Sequence, residues 1–152
     1  MSQNAAVSLA PRLTAAVPLV PALRTAATIV GVCAFLVLVG LFGQFATRWL
    51  VVDVLDIGHA LLVAAAMGLG AALARRHAGL AGLVAAALSG AAAGVGLALL
   101  VALVRAANLR WMLVSLTPVT LNRIGYGLPD TEAAGLLALA GATAAGLGAA
   151  VV

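Results

Sequence analysis

The chain has 152 residues, of which 65% are apolar and only 8% carry a charge. A soluble globular domain has about a quarter charged residues, so this chain has too little polar side chain to cover a water-facing surface. Its formal charge of +4 comes from arginines that are scattered along the chain and form no basic stripe, which argues against a nucleic-acid-binding module.

The first predicted element is a flexible leader over residues 1–23, which contains three prolines. A first apolar span follows over about 25–43, with Arg24 before it and with Arg48 and Trp49 after it as anchors at the interface of lipid and water. A cleavable signal peptide is the alternative. The apolar run exceeds the roughly 7–15 residues of such a segment and lacks a clear small-x-small cleavage site, so a retained helix is favoured.

Two further spans are predicted over 57–74 and 78–104, and each is long enough to cross a hydrocarbon core roughly 30 Å thick. The second span stops at the basic pair Arg75-Arg76, and Arg105 ends the third. These arginines are predicted to be interface anchors as well. A basic pair in so short a connection favours the cytoplasmic side, which predicts that both termini of a four-span chain lie in the cytoplasm.

Residues 105–132 are too polar to cross a membrane. Their mixture of apolar and polar side chains predicts short amphipathic helices at the membrane surface, with Trp111 and Tyr126 anchored at headgroup depth. Asp130 or Thr131 is predicted to cap the helix that follows.

The fourth span is predicted over 133–152 and is apolar to the last residue, without a polar flank. We therefore expect the chain to be truncated. Together these elements predict an all-α integral membrane bundle over 24–152, with about four transmembrane helices and a short interfacial segment between the third and the fourth.

Glycine and alanine dominate the predicted spans, which favours close packing of the helices. Gly90 and Gly94 form a G-x-x-x-G pair, and Gly70 lies in a small-x-x-x-small row with Ala66 and Ala74. We interpret Gly70, Gly90 and Gly94 as helix-packing residues that support bundling.

Asp53, Asp56 and His59 are spaced three residues apart at the start of the second span. An imidazole beside carboxylates is typical of a proton relay or a partial metal site. We favour capping and interface roles instead, because acidic residues are stabilising at a helix N-terminus and His59 could snorkel or bond locally. No charge falls deep within a span, and the sequence predicts no catalytic residue, no metal site and no cofactor.

Five short stretches carry a resemblance to a known family, namely Leu23-Arg24-Thr25-Ala26-Ala27 with Gly40-Leu41-Phe42, Asp56-Ile57-Gly58-His59-Ala60-Leu61-Leu62, Ala74-Arg75-Arg76, and Asn108-Leu109-Arg110 continuing to Ser115-Leu116-Thr117-Pro118. Together they resemble the N-terminal extension found on some permease subunits of bacterial branched-chain amino acid ABC transporters.

This resemblance implies a multi-pass, non-catalytic part of a permease in the bacterial cytoplasmic membrane, for branched-chain or similar amino acids. Its partners would be the lipid bilayer, other permease helices or subunits, an ATPase and a substrate-binding protein. The translocation core would lie after Val152, so no family site residue is transferred to this chain.

Two other functions stay open. One is a self-contained small membrane protein that oligomerises or serves as an assembly subunit without transport activity. The other is a membrane enzyme that uses Asp53, Asp56 and His59.

Overall fold

The computed structural model describes residues 18–45, 49–51, 55–77, 79–108 and 117–152. These residues form the helices α1 (Leu19–Leu38), α2 (Leu41–Phe45), α3 (Ile57–Arg76), α4 (Leu80–Ala106), α5 (Pro118–Ile124) and α6 (Asp130–Ala150). Two short antiparallel strands, β1 (Trp49–Val51) and β2 (Leu55–Asp56), pair between α2 and α3. The sequence analysis did not predict this strand pairing.

The helices α1, α3, α4 and α6 have 20, 20, 27 and 21 residues, and all four are long and apolar enough to cross a membrane. Large apolar side chains cover their outer faces, and Phe35, Leu99 and Leu139 are each more than half exposed. In water such a surface would be costly, whereas lipid tails cover it favourably. The all-α bundle with about four transmembrane helices is confirmed, and the fold is that of a multi-pass membrane protein.

The four long helices run alternately up and down. Ala22, Leu73 and Ala85 are buried together, so the start of α1, the end of α3 and the start of α4 share one end of the bundle. At the opposite end, Arg105 in the last turn of α4 contacts Asp130 in the first turn of α6. Both α1 and α6 pack against α3 and α4.

The two ends differ in charge, and we name them accordingly. The arginine end carries Arg24, Arg75 and Arg76, near the start of α1 and at the end of α3. The carboxylate end carries Asp56, Asp130 and Glu132, at the starts of α3 and α6.

The first span differs from its prediction at both boundaries. The helix α1 begins at Leu19, inside the predicted leader, and Arg24 lies within it. Pro21 is compatible with this start because the first turn of a helix has no intrahelical partners for its N–H groups. The helix stops at Leu38, and Gly40 has a φ of 78°, which a glycine adopts without strain.

The other spans begin or end a few residues from their predicted boundaries. The helix α3 includes both Arg75 and Arg76, and α4 runs from Leu80 to Ala106, so that Arg105 is in its last turn. A basic residue there is favourable because the helix dipole is negative at its C-terminus.

The fourth long helix starts earlier than predicted and without the predicted cap. Pro129 is the capping residue, no side chain caps the helix, and Asp130 is its first residue. The Asp130 carboxylate contacts Arg105 and makes no capping hydrogen bond. The negative charges of Asp130 and Glu132 still favour this position, since the helix dipole is positive there.

Within the predicted interfacial segment the structure describes one short helix, α5. Thr117 caps it, because its Oγ1 accepts a hydrogen bond from the Thr120 N–H at 3.1 Å, and Pro118 follows as the first helical residue. Residues 109–116, which include the predicted anchor Trp111, lie outside the described residues, as do Arg48 and Asp53.

The three predicted helix-packing glycines lie where helix backbones meet. A Cβ atom on Gly90 would overlap the backbone of Gly141 in α6, and one on Gly94 would overlap that of Leu137. A Cβ atom on Gly70 of α3 would overlap the backbone of Ala145 in α6. The chain therefore uses these glycines to bring α6 into backbone contact with α3 and α4.

Candidate functional site

The candidate site begins with Asp56, the residue before α3. Its side chain is fully buried, its backbone is extended, and Oδ1 accepts a hydrogen bond of 2.7 Å from the backbone N–H of His59. This is the geometry of an N-cap, and the positive end of the helix dipole further favours a carboxylate there. The capping role predicted for Asp56 is confirmed.

His59 lies on the first turn of α3 and is 6% exposed. Its Nε2 atom is 3.1 Å from the backbone oxygen of Arg123 in α5, and a carbonyl oxygen only accepts, so Nε2 is the donor in this arrangement. Of the two alternatives stated for His59, snorkelling or a local bond, the structure does not show snorkelling, because α5 and the turn after it cover the imidazole.

Two buried polar atoms of this pair lack a hydrogen-bond partner in the described part of the chain. Nδ1 of His59 lies 2.9 Å from Oδ1 of Asp56, within ion-pair distance but without the alignment of a hydrogen bond. Oδ2 of Asp56 likewise has none. Buried polar atoms are usually satisfied, so this pair is the least satisfied polar feature of the described fold.

Aromatic rings enclose the imidazole on two sides. The ring of Phe42 in α2 meets that of His59 edge to face with centroids 5.1 Å apart, and the ring of Tyr126 lies over it at 4.4 Å. Tyr126 has a φ of 55°, a left-handed conformation that is strained for an aromatic residue. Partial burial, and secondarily the nearby Asp56 carboxylate, raise the pKa of the Tyr126 phenol above its usual value.

Arg105 connects α5 and the end of α4 with the start of α6. Its guanidinium donates to Asp130 Oδ1 at 2.5 Å, and to the backbone oxygen of Leu121 and Oδ1 of Asn122 at 3.1 Å each. The side chain is 30% exposed. Arg105 and Tyr126 contact other parts of the chain and are also partly exposed, so their predicted role as interface anchors stays a prediction.

An apolar cavity of about 160 Å³ lies beside the imidazole, between α1, α3, α4 and α6. His59 and Tyr126 line it at the carboxylate end, and nearly all of its remaining walls are aliphatic. Cys33 of α1 also lines the cavity, but no hydrogen bond joins its thiol to His59 in the described residues. The cavity therefore contains an imidazole and a thiol without the contact that would activate a nucleophile.

The hydroxyl groups within the spans bond to their own helices. Thr28 donates to the backbone oxygen of Arg24, Ser89 to that of Ala86, and Thr143 to that of Leu139. Across the ranges that the structure describes, no three His, Cys, Asp or Glu side chains are grouped to hold a metal ion.

The remaining predicted anchors are placed as follows. Arg24, Arg75 and Arg76 are exposed at the arginine end, where guanidinium groups can reach headgroups. Trp49 is in β1, and nothing further is described of its side chain.

Sequence reasoning missed the enclosure of His59 by Phe42, Tyr126 and the Arg123 carbonyl. The nearest local signal was the Tyr126-Gly127 pair, a combination that suits a left-handed helix end. That signal indicates a turn but does not indicate which side chain the tyrosine meets.

Neither a family model nor a curated protein nor a solved structure matches this chain. The resemblance to the permease extension therefore stays a prediction. Any function for the chain has to be supported by its own geometry and chemistry.

Proposed function

We propose that this chain is a non-catalytic, membrane-embedded part of a transport permease in the bacterial cytoplasmic membrane, and that it packs against other permease helices. The observation that carries the proposal is a row of small residues on the outside of α3. Ala64 and Gly68 are both exposed and lie four residues apart, so they share one face of the helix.

This outer row can pack against a second helix because small residues let the two backbones come into contact, as the internal glycines do. A Cβ atom on Gly68 would meet nothing within 4 Å, whereas one on Gly70, two residues further on, would overlap the backbone of α6. Small residues let backbones approach, and close approach is what stabilises helix pairs in lipid. The outside of α4 is different, since Leu88, Leu99 and Leu103 are exposed there.

A non-catalytic role agrees with how the polar residues are used. Asp56 caps α3 and His59 bonds to the Arg123 carbonyl, so both are engaged in holding the carboxylate end together. Proton-coupled pumps and transporters place ionisable groups along their pathway. In the described spans, the charged residues lie in the end turns or, for Arg24, near the start of α1.

The class of transport comes from the resemblance alone. It supports a permease for branched-chain or similar amino acids, in which an ATPase and a substrate-binding protein belong to the wider complex. The transport chemistry would then belong to the permease core and to the ATPase.

The alternative is a self-contained small membrane protein that oligomerises or serves in assembly. The same outer row on α3 favours it, because small-residue faces also join copies of one chain. The two candidates therefore differ in what covers Gly68 and not in the chemistry of the contact.

Three matched variants test the proposal, because Gly31, Gly68 and Gly135 lie on α1, α3 and α6 and all three have open space where a Cβ atom would be. The full gene product is purified from its native membrane with each glycine changed to leucine, and the bound proteins are identified by mass spectrometry. We expect Gly68→Leu to reduce recovery of a transporter ATPase about tenfold or more, which is the loss of roughly 1.4 kcal/mol of association. Gly31→Leu and Gly135→Leu should leave it unchanged.

Recovery of the chain only with copies of itself, again lost in Gly68→Leu, would replace the permease proposal by the alternative. Equal recovery of the same partners from all three variants would show that the outer row of α3 is not the contact.

A further inference from the structure

A groove of about 370 Å³ opens at the arginine end between the start of α1 and the end of α3. Its polar lining comes from both helices and includes Arg24 and Thr25 on one side and Arg76 and His77 on the other. The remaining wall is largely apolar and is formed by Val20, Pro21, Leu69, Ala72 and Leu73. The groove therefore combines a cationic rim with a surface that suits a hydrocarbon chain.

No carboxylate of the described residues neutralises this rim. Arg24 and Arg76 are exposed, and neither guanidinium has an ion pair or hydrogen bond within the described chain. Asp56 lies at the other end of α3, a helix of 20 residues and so about 30 Å long, too far away to contact the rim.

Helix dipoles do not change the sign of the charge at the arginine end. Two helix starts, of α1 and α4, and two helix ends, of α3 and α6, lie on this side of an up-and-down bundle, so their partial charges largely cancel. The arginine side chains therefore decide the local potential, which is positive.

The groove also lies at the right depth for a lipid headgroup. The helices α1 and α3 each have 20 residues, which matches a hydrocarbon core of roughly 30 Å, so their ends reach the headgroup region. Arg24 is in the second turn of α1 and Arg76 is the last residue of α3.

We propose that this groove binds one anionic phospholipid, with Arg24 and Arg76 holding the headgroup phosphate and the apolar wall covering part of an acyl chain. Guanidinium groups suit this role because they match phosphate oxygens with paired N–H donors. The proposal requires only that the chain lies in a membrane, and it is independent of the permease role.

The test compares the wild type and two variants of the purified full chain in nanodiscs of phosphatidylcholine with a minority of phosphatidylglycerol. Arg24→Gln with Arg76→Gln removes both groove cations. Arg75→Gln is the matched control, because Arg75 is exposed in the same turn of α3 but does not line the groove. Lipid that stays bound after transfer to detergent is counted by native mass spectrometry.

We expect the wild type to retain phosphatidylglycerol in preference to phosphatidylcholine. Each arginine near an anionic headgroup contributes about a fivefold change in affinity, so the double variant should lose roughly 25-fold of this preference. Arg75→Gln should change it less than about twofold. A loss of about fivefold in Arg75→Gln, the same loss per charge as in the double variant, would indicate diffuse attraction to an anionic surface and would overturn the groove.

Two additional measurements keep the test decisive. Arg24→Lys with Arg76→Lys keeps both charges but not the paired donors, so it should lose less of the preference than the double glutamine variant, which separates lost charge from damaged folding. Inorganic phosphate added to the detergent-solubilised chain should raise its melting temperature less than phosphatidylglycerol does. Equal stabilisation by inorganic phosphate would overturn the lipid as the occupant.

Discussion

Asp56 and His59 illustrate how much one carboxylate contributes at the start of a membrane helix. Oδ1 of Asp56 caps α3, an interaction worth about 1 kcal/mol, while Oδ2 is buried without a hydrogen-bond partner in the described chain. The ring of Tyr126, tilted by 31° to the imidazole, covers this cluster at a cost in backbone strain. His59 therefore donates its backbone N–H to the nearby cap, Asp56, and packs its ring against Tyr126, which is distant in the sequence.

The titration of Tyr126 provides a prediction at this scale. Its pKa is raised in the folded chain, so the folded state holds the phenolic proton more tightly than the unfolded state does. The free energy of unfolding should therefore be unaffected by this group below pH about 10 and should fall as the pH rises above it. Tyr126 is the only tyrosine in the sequence, so near-ultraviolet absorbance of the phenolate reports it alone.

The control is Tyr126→Phe, which keeps the ring and should remove this alkaline loss of stability from thermal melting curves in detergent. The wild-type chain unfolded in denaturant should titrate near pH 10. A folded-state midpoint at or below that of the unfolded chain would contradict the prediction.

The cap at Asp56 was predictable because it depends on a residue three positions away in a helix start. The partner of His59 was not, since Arg123 is 64 positions further along the chain. Sequence reasoning about single residues succeeds here over one helical turn and fails across the fold.

At the scale of elements, the apolar runs predicted all four long helices, because each run is long enough for a helix to cross the hydrocarbon core. The boundaries depended on finer chemistry. Pro21 is tolerated inside the first turn of α1, and Gly40 ends the first span earlier than hydropathy indicates. The strand pairing of β1 and β2 follows from contacts between two short segments that carry no periodic signal.

The contact of α4 with α6 provides the prediction at this scale. Gly90→Ala should lower stability by about 1–3 kcal/mol, because the added methyl group would overlap the Gly141 backbone and push the helices apart. Gly135→Ala is the matched control on α6, where the methyl group meets open space. It should stabilise the helix by up to about 1 kcal/mol, since alanine is the better helix former.

Thermal unfolding followed by circular dichroism in one detergent compares the two variants directly. If Gly90→Ala melted at or above the wild-type temperature, α4 and α6 would not be in backbone contact.

At the scale of the whole molecule, the charges are sorted between the two ends of the bundle. Arg24, Arg75 and Arg76 lie at one end, and the described acidic residues lie at the other together with Arg105 and Arg123. Basic residues in short connections favour the cytoplasmic side of a membrane, which predicts that the arginine end faces the cytoplasm.

Single cysteines test this orientation in a Cys33→Ala background, since Cys33 is the only cysteine of the chain. Leu80→Cys reports the arginine end and Val119→Cys the carboxylate end, and both residues are more than 60% exposed. A membrane-impermeant maleimide applied to spheroplasts should label Val119→Cys at once and Leu80→Cys only after lysis. The opposite pattern would reverse the orientation, and labelling of both from outside would contradict the up-and-down topology.

Composition and hydropathy by themselves determined that the chain is a helical membrane protein with about four spans. A segment can cross lipid if it is long enough and free of charge, and both properties are visible in the segment itself. Gly70 was predicted from the sequence to be a packing residue, but only the tertiary structure shows that Gly68, two residues earlier, has open space beside it while Gly70 meets the backbone of α6. The tertiary structure also brought Phe42 and Tyr126 to His59 and left Arg24 and Arg76 facing one groove. These contacts join segments that are far apart in the chain, and a local sequence pattern does not indicate which distant segments will meet.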